Sequence, residues 1–229
     1  MSNIEVYIVV EGQTEQTFVR DVLAPYMAVQ GIYLIAIRIG IAGHKGGNVK
    51  FERAHKDIER LIQQRSDTYI STMFDYFRID SNWPGQELIN TKIKAGITLS
   101  GIDKAGILEV ATLTKMTALL SEDSIAKRFI PYIEMHEFEA LLFSDVTVLA
   151  EKINVPINQI QSVLANYNSP EEINSDPLKA PSKRLEKLMI GYKKVIMGKV
   201  ISESIGITRI RQQCLHFDSW LQRLEKLTE

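Results

Sequence analysis

With 229 residues, of which 45% are hydrophobic, the chain can bury a large core, so its composition excludes an intrinsically disordered protein. Its formal net charge of -1 excludes binding of nucleic acid through a strong overall field, although a local basic patch remains compatible with it. The single cysteine, Cys214, excludes an internal disulfide and a cysteine-rich zinc site. No apolar stretch approaches the roughly 18 residues that a membrane helix needs. We therefore expect a cytoplasmic protein that makes no contact with a membrane.

The first 145 residues alternate strand-like and helix-like segments. The apolar run at 4–10 predicts a buried strand that ends at Glu11, and Gln13-Thr14-Glu15 is typical of a helix start. Further strands are predicted at 32–39, 68–76 and 128–135, and helices at 15–28, 49–65 and 103–121. This alternation favours an α/β fold, a mostly parallel sheet of about four strands flanked by helices.

Three other features complete the predicted organisation. Pro25 is expected to end or kink the first helix, and residues 77–101 are expected to form a long irregular connection. After Asp145 no convincing strand remains, which predicts an α/β domain at 1–145 and a helical appendage at 146–229 packed on it. The appendage helices are predicted at 146–153, 156–167, 181–190, 199–206 and 217–227.

Acidic residues follow three of the four predicted strands. Glu11 ends the first strand, Asp75 the third, and Glu137 with Glu139 follows the fourth. Because the carboxyl ends of parallel strands open on one edge of the sheet, these acids should converge there. Clustered carboxylates repel one another, and Mg²⁺ (or Mn²⁺) bound by oxygen ligands relieves that repulsion. The pattern therefore predicts a metal site made of Glu11, Asp75 and one of Glu137 and Glu139, while the other could be an ordinary acid at a helix start.

Several residues near this edge have ordinary structural interpretations as well. Glu15 would complement the dipole at a helix start, and His136 would be a hydrogen-bonded structural histidine, so both are expected to border the metal ligands. The segment His44-Lys45-Gly46 follows the second strand and could be a plain turn or a phosphate-binding loop. It does not have the P-loop spacing.

The joint pattern resembles a known family. VEGQTE after a strand resembles the first motif of Toprim domains, which topoisomerases, primases and OLD-family nucleases share, and MFDYF stands where their acidic D-x-D motif ends a later strand. Together, six segments resemble a family of uncharacterised bacterial proteins with a Toprim-like fold. These segments are VEGQTE, HKGG, TMFDYF, PYIEMHEFEALLF, PEEIN and APSKRL.

The resemblance implies roles for individual residues. Glu11 matches the Toprim glutamate that binds metal and acts as a general acid or base, and Asp75 matches the first acid of D-x-D, whereas Phe77 replaces the second. Glu139 resembles the later acid of OLD-type nucleases. Lys183 resembles their downstream lysine, although it could equally be a solvated residue at a helix start.

The implied activity is that of a Mg²⁺-dependent phosphodiesterase, a DNA or RNA nuclease with an ABC-type ATPase partner in phage defence. A local basic stretch of Lys179, Lys183, Arg184 and Lys187 would contact the nucleic acid, unless it is a solvated helix face. The missing second acid leaves open a sensor or regulatory subunit without catalytic activity, and a small-molecule phosphohydrolase is a third reading. The oligomeric state is left open, a homo-oligomer included.

Overall fold

The structure, a computed structural model, describes residues 3–40, 49–120, 123–173 and 177–229. Its strands are β1 (Ile4–Val10), β2 (Ile32–Arg38), β3 (Tyr69–Asp75), β4 (Phe129–Ile130) and β5 (Ile133–Glu134). The order is β2-β1-β3-β4, β5 also pairs with β3, and every pairing is parallel. The predicted α/β fold, a four-strand parallel sheet flanked by helices, is confirmed.

Helices make up most of the remaining structure. The α-helices of the described residues are α1 (Gln13–Phe18), α2 (Ala24–Ala28), α3 (Phe51–Gln64), α4 (Gln86–Lys94), α5 (Gly101–Leu120), α6 (Asp123–Arg128), α7 (Val146–Ile153), α8 (Ile157–Leu164), α9 (Pro181–Leu188), α10 (Lys194–Ile205), α11 (Ile207–Gln213) and α12 (Leu215–Glu225). Short 3₁₀ segments lie at Phe138–Ser144, Pro170–Glu172, Pro177–Lys179 and Lys226–Thr228. No helix in the described ranges combines the length and the apolar character needed to cross a bilayer.

The two faces of the sheet are covered by different parts of the chain. Alternate residues of β1 point to opposite faces, so Val10 packs into the larger core while Val9 packs into the smaller one. The larger core joins β1 and α1 to the C-terminal helices through side chains such as Phe18 and Trp220. The smaller core is closed by α3 and α5. The residues of α3 that the amphipathic pattern indicates are buried there: Phe51, Ala54, Ile58, Leu61 and Ile62. The C-terminal helices therefore share a core with the sheet, and the domain boundary at 145 stays a prediction.

The fourth strand differs from its prediction. Residues 128–135 do not form one strand, because α6 extends to Arg128 and two short strands flank Pro131 and Tyr132. Proline has no N–H for a ladder hydrogen bond. At this break the Thr72 side chain, rather than the backbone of β3, forms the hydrogen bonds to the chain. Its hydroxyl donates to the Tyr132 carbonyl and accepts the Tyr132 N–H, both at 2.9 Å.

The connection predicted as irregular at 77–101 contains α4. Ile89 is the buried residue of this helix, so the apolar period in the sequence is too weak to indicate it. The Trp83 indole anchors the preceding turn by donating to the Thr112 hydroxyl at 2.8 Å. Gly85 precedes the helix with φ 94, in a conformation that favours glycine, and a Cβ there would lie 3.0 Å from the Ile107 carbonyl oxygen.

The first helix reaches Ala28, as the prediction for 15–28 has it. Of the two outcomes expected at Pro25, an end or a kink, the end does not occur, and a π-helical turn at Val19–Leu23 lies directly before the proline. In the C-terminal part, α7 spans its predicted residues, whereas α10 begins at Lys194 and continues through Gly198, which the sequence suggested was a break. Tertiary contacts hold Gly198 in the helix, as described below.

Candidate functional site at the carboxyl edge of the sheet

The parallel strands bring several acids to one edge. Glu11 follows β1 directly, Asp75 is the last residue of β3, and Glu134 is the last residue of β5 and the register partner of Asp75. Asp75 lies two residues after Met73, whose side chain is in the larger core, so both point to the face that α1 and the C-terminal helices cover.

Asp75 is at the centre of the acids. It is buried, and one carboxylate oxygen accepts the Phe138 N–H at 3.0 Å, which ties the end of β3 to the start of the 3₁₀ segment. Burial raises the pKa of Asp75 well above its usual range, and the charges of Glu15, Glu11, Glu139 and Glu137 raise it further. We call Glu11, Glu15, Asp75, Glu137 and Glu139 the edge cluster.

Glu11 is only partly neutralised by protein groups. Its Oε1 lies 3.4 Å from the Arg78 guanidinium, while its Oε2 is buried without a hydrogen bond from the described residues. Burial, followed by the charge of Glu15, raises the pKa of Glu11 to about 8 even though Arg78 opposes the shift. A carboxyl with this pKa can both accept and donate a proton near neutral pH.

Glu15 serves the helix start as expected and also belongs to the cluster. Its carboxylate accepts the Gly12 N–H at 2.9 Å, a bond typical of an acid in the first helical turn. The residue is buried, and burial raises its pKa despite the backbone hydrogen bonds and the nearby positive charges.

The two acids after the fourth strand have different environments. Glu137 accepts the Ser182 N–H at 3.0 Å, so it anchors the N-terminus of α9. Glu139 lies in the 3₁₀ segment and is 2% exposed, and its Oε1 lies 3.4 Å from the Lys194 ammonium without a hydrogen bond from the described residues. Burial raises the pKa of Glu139 to about 7; Lys194 opposes this shift, and Glu137 and Glu15 add to it.

The sequence did not indicate Lys194. Burial alone would lower the pKa of its ammonium, but the charges of Glu139, Glu137 and Asp75 raise it overall, so the group stays positively charged. Gly198 allows α10 to lie close enough to the edge cluster for Lys194 to reach it. A Cβ on Gly198 would lie 2.8 Å from a ring carbon of Phe138 and 3.4 Å from the Thr14 methyl group, so its absence allows α10 to pack closely against the 3₁₀ segment and α1.

Lys183 does not occupy the place expected of it. Its ammonium pairs with Glu186 at 2.8 Å, and the side chain is 57% exposed. The cations with large effects on the pKa values of the edge cluster are instead Lys194 and Arg78. The APSKRL segment therefore contacts the edge cluster through the Ser182 N–H, which donates to Glu137, and not through the Lys183 side chain.

An aromatic group borders the edge cluster on one side. Phe77 lies 5.1 Å from the His136 ring, centroid to centroid, and Tyr76 lies 5.8 Å from it. Burial and then the charge of Lys104 lower the pKa of His136 to about 4, so the ring is neutral at physiological pH. Its Nδ1 is buried without a hydrogen bond from the described residues. His44, Lys45 and Gly46 lie outside the described residues.

The donor chemistry of the cluster fits a hard cation, although its present geometry does not enclose one. Among the described residues, no three acid, histidine or cysteine side chains are placed so that they could hold a metal ion. The buried oxygens of Glu11 and Glu139 that accept no hydrogen bond from the described residues are nevertheless ligands of the kind that Mg²⁺ and Mn²⁺ prefer. Coordination of one ion by three of these carboxylates therefore requires side-chain movement.

A second group of buried acids lies behind the edge cluster. Glu171, in the PEEIN segment, accepts the N–H groups of His216 and Phe217 at 3.0 and 2.8 Å at the start of α12. Glu109 accepts the Ile133 N–H at 3.0 Å and pairs with His216 and Arg223 at 2.9 and 3.0 Å. We call Glu109, Glu171, His216 and Arg223 the inner network.

Glu134 lies between these two groups. One of its oxygens accepts the Tyr132 hydroxyl at 2.6 Å, and the other is buried without a hydrogen bond from the described residues. Burial and the charge of Glu171 raise the pKa of Glu134 well above its usual range.

A model of a known protein family matches most of the chain. Residues 10–225 match the family model described as "Domain of unknown function (DUF4276)", which spans the edge cluster, Lys194 and the inner network. Searches of curated proteins and of solved structures each found no match.

Proposed function

The chain belongs to the DUF4276 family, and from its edge cluster we propose that it is a Mg²⁺- or Mn²⁺-dependent phosphodiesterase that cleaves DNA or RNA. One observation carries the proposal: five carboxylates meet at the carboxyl edge of a parallel sheet, and two keep a buried oxygen without a hydrogen bond from the described residues. Buried acids in this state are costly unless they are protonated or bind a cation. The resemblance of VEGQTE and MFDYF to Toprim motifs supports the same assignment.

Glu11, Asp75 and Glu139 would hold the metal ion. Glu137 is a less suitable ligand, because one of its oxygens is committed to the Ser182 N–H. A bound Mg²⁺ would neutralise phosphoryl charge and lower the pKa of an attacking water.

The remaining chemistry is assigned to residues of the chain. Lys194 would neutralise charge that develops on the phosphoryl oxygens. Glu11 would take up a proton from water or return one to the leaving group, the acid–base role that the resemblance to Toprim domains implies. Asp75 is held in place for ligation by the Phe138 N–H.

Cleavage assays test this proposal. Purified protein is incubated with plasmid DNA, single-stranded DNA or tRNA in Mg²⁺, Mn²⁺, Ca²⁺ or EDTA, and bis(p-nitrophenyl) phosphate serves as a small-molecule substrate. We expect cleavage of a nucleic acid in Mg²⁺ or Mn²⁺ and its loss in Glu11→Gln. Glu151→Gln, which changes an exposed acid on α7, is the matched control and should behave as wild type.

Two results would contradict it. Absence of metal-dependent cleavage of every nucleic acid would exclude the nuclease assignment, and turnover of the small-molecule ester alone would indicate a phosphohydrolase instead. Equal cleavage by wild type and Glu11→Gln would exclude this site.

A regulatory subunit without catalytic activity is the second candidate. Phe77 stands where a second Toprim acid would be, and Lys194 already partly neutralises Glu139. Such a subunit would use the edge cluster to bind a partner, for which the family resemblance suggests an ABC-type ATPase. If the chain is such a subunit, wild type should bind Mg²⁺ no more strongly than the Glu11→Gln variant. Isothermal titration calorimetry measures this directly.

A further inference from the structure

The hydroxyl of Tyr192 is buried, and none of the described residues gives it a hydrogen bond. The aromatic ring packs against the larger core. A buried hydroxyl without a partner costs about 1–3 kcal/mol, so this group calls for an explanation. Burial raises the pKa of Tyr192, and the charges of Glu139, Glu137 and Glu186 raise it further. The hydroxyl therefore stays protonated and is a hydrogen-bond donor without an acceptor.

The backbone places Tyr192 beside Lys194. Lys193 has an extended conformation (φ -107, ψ 99), and successive side chains of an extended chain point in opposite directions. Tyr192 and Lys194 therefore fall on one side, and both are partly buried while Lys193 is exposed.

Both side chains approach the same carboxylate. The Lys194 ammonium lies 3.4 Å from Glu139 Oε1, and Glu139 is the charge with the largest effect on the pKa of Tyr192. The Tyr192 hydroxyl and Glu139 Oε1 are both buried and yet do not hydrogen-bond to each other. A neutral donor and a cation thus flank the edge cluster, and the hydroxyl lacks an acceptor oxygen.

We propose that Tyr192 and Lys194 form a two-donor clamp that binds the two non-bridging oxygens of a phosphodiester, with Tyr192 as a substrate-binding residue. This inference rests on the proposed function, because it takes the edge cluster as the place where a metal ion and a phosphoryl group meet. The clamp adds a contact that the acids cannot make, since they only accept hydrogen bonds when ionised. The ammonium neutralises one oxygen, and the hydroxyl fixes the orientation of the other.

Binding of inorganic phosphate tests the clamp separately from catalysis. Isothermal titration calorimetry is performed in saturating Mg²⁺ with wild type, Tyr192→Phe and Lys194→Gln. We expect phosphate to bind roughly tenfold more weakly to Tyr192→Phe, because one hydrogen bond to a charged group is lost, and more weakly still to Lys194→Gln. Tyr33→Phe is the matched control, since it removes a hydroxyl from an exposed side chain near the amino end of the edge strand β2.

The outcomes separate this inference from the proposed function. If wild type and Tyr192→Phe bind phosphate equally, or if wild type does not bind it in Mg²⁺, the clamp is excluded, whatever the cleavage assays give. If binding depends on Tyr192 but no substrate is cleaved, the clamp stands and the phosphodiesterase proposal falls. Where cleavage is measurable, Tyr192→Phe should raise KM for the phosphodiester, whereas a loss of fold would lower kcat and reduce the ellipticity of the protein.

Discussion

The edge cluster and the inner network both consist of buried acids, yet they differ in how their oxygens are used. In the inner network, both oxygens of Glu171 accept backbone N–H groups, and both oxygens of Glu109 have partners. In the edge cluster, Glu11 and Glu139 each keep one buried oxygen without a hydrogen bond from the described residues. The inner network thus caps the start of α12 and is supported by ion pairs. The edge cluster keeps two oxygens that a ligand could use.

Burial and pKa alone do not separate these two regions. Burial raises the pKa of Glu171 despite its two backbone hydrogen bonds, just as it raises those of Glu11 and Glu139. Completeness of hydrogen bonding separates them better, because a satisfied acid stabilises the fold and an unsatisfied one costs free energy that a ligand can recover. The predictions below test this difference.

The largest expected effect is on cleavage. Asp75→Asn and Glu139→Gln keep the size of each side chain, and the amide introduced by Asp75→Asn retains an oxygen for the Phe138 N–H, so we expect folded proteins. Their kcat in Mg²⁺ should fall by about 10²- to 10³-fold, because each variant loses a carboxylate that would hold the metal ion. Wild-type turnover in both variants would place the chemistry elsewhere.

The inner network should instead govern stability. Glu171→Ala leaves the N–H groups of His216 and Phe217 buried and unpaired at the start of α12, so the free energy of unfolding should fall by about 3 kcal/mol. Glu139→Gln, measured by the same urea unfolding at pH 7.5, should cost less or increase stability. The reverse order would contradict the distinction between the two regions.

The pH dependence of stability should arise from the edge cluster. The folded protein binds protons more tightly than the unfolded chain at Glu139, whose pKa rises from 4.5 to about 7, and at Glu11, where it reaches about 8. The free energy of unfolding should therefore fall as the pH rises from about 5 to 8, with Glu139 contributing up to about 3 kcal/mol. Urea unfolding in EDTA measures this slope.

Two changes should reduce that pH dependence. Glu139→Gln removes one of the titrating groups, and 10 mM Mg²⁺ should stabilise the ionised cluster at pH 8. A wild-type slope that is unchanged by both would show that these acids do not titrate in this range.

The smallest effect is expected at Lys183. Because its ion pair with Glu186 is exposed, Lys183→Ala should change the free energy of unfolding by about 0.5 kcal/mol or less and leave cleavage unchanged. Lys194→Gln should lower cleavage at least tenfold under the same conditions. Equal losses in the two variants would restore Lys183 as a functional residue.

The local pattern of the sequence predicts β1, β2 and β3 closely and places Glu11 and Asp75 at strand ends. The apolar run at Ile4–Val10 and the period of Phe51–Gln64 correspond closely to the observed β1 and α3. The break at Pro131 could not be read in the same way, because the Thr72 hydroxyl that replaces the lost ladder bond comes from another strand.

The details of the candidate site depend on tertiary contacts. Gly198 suggests a helix break from sequence, and its role becomes visible only when Phe138 packs against it. Lys194 and Tyr192 therefore escaped prediction, although the acids they approach were identified from the strand ends. The commitment of Glu137 to the Ser182 N–H is equally invisible in sequence, since it joins distant segments.

The shared larger core has a consequence for how the molecule can be divided. A fragment that ends at Asp145 would keep all five acids of the edge cluster but lose Lys194, and it would expose the apolar surface around Phe18 that Phe217 and Trp220 cover. We expect such a fragment to carry the five acids without the charge of Lys194, next to an exposed apolar surface. The C-terminal helices and the apolar surface that they cover are therefore expected to depend on each other for stability.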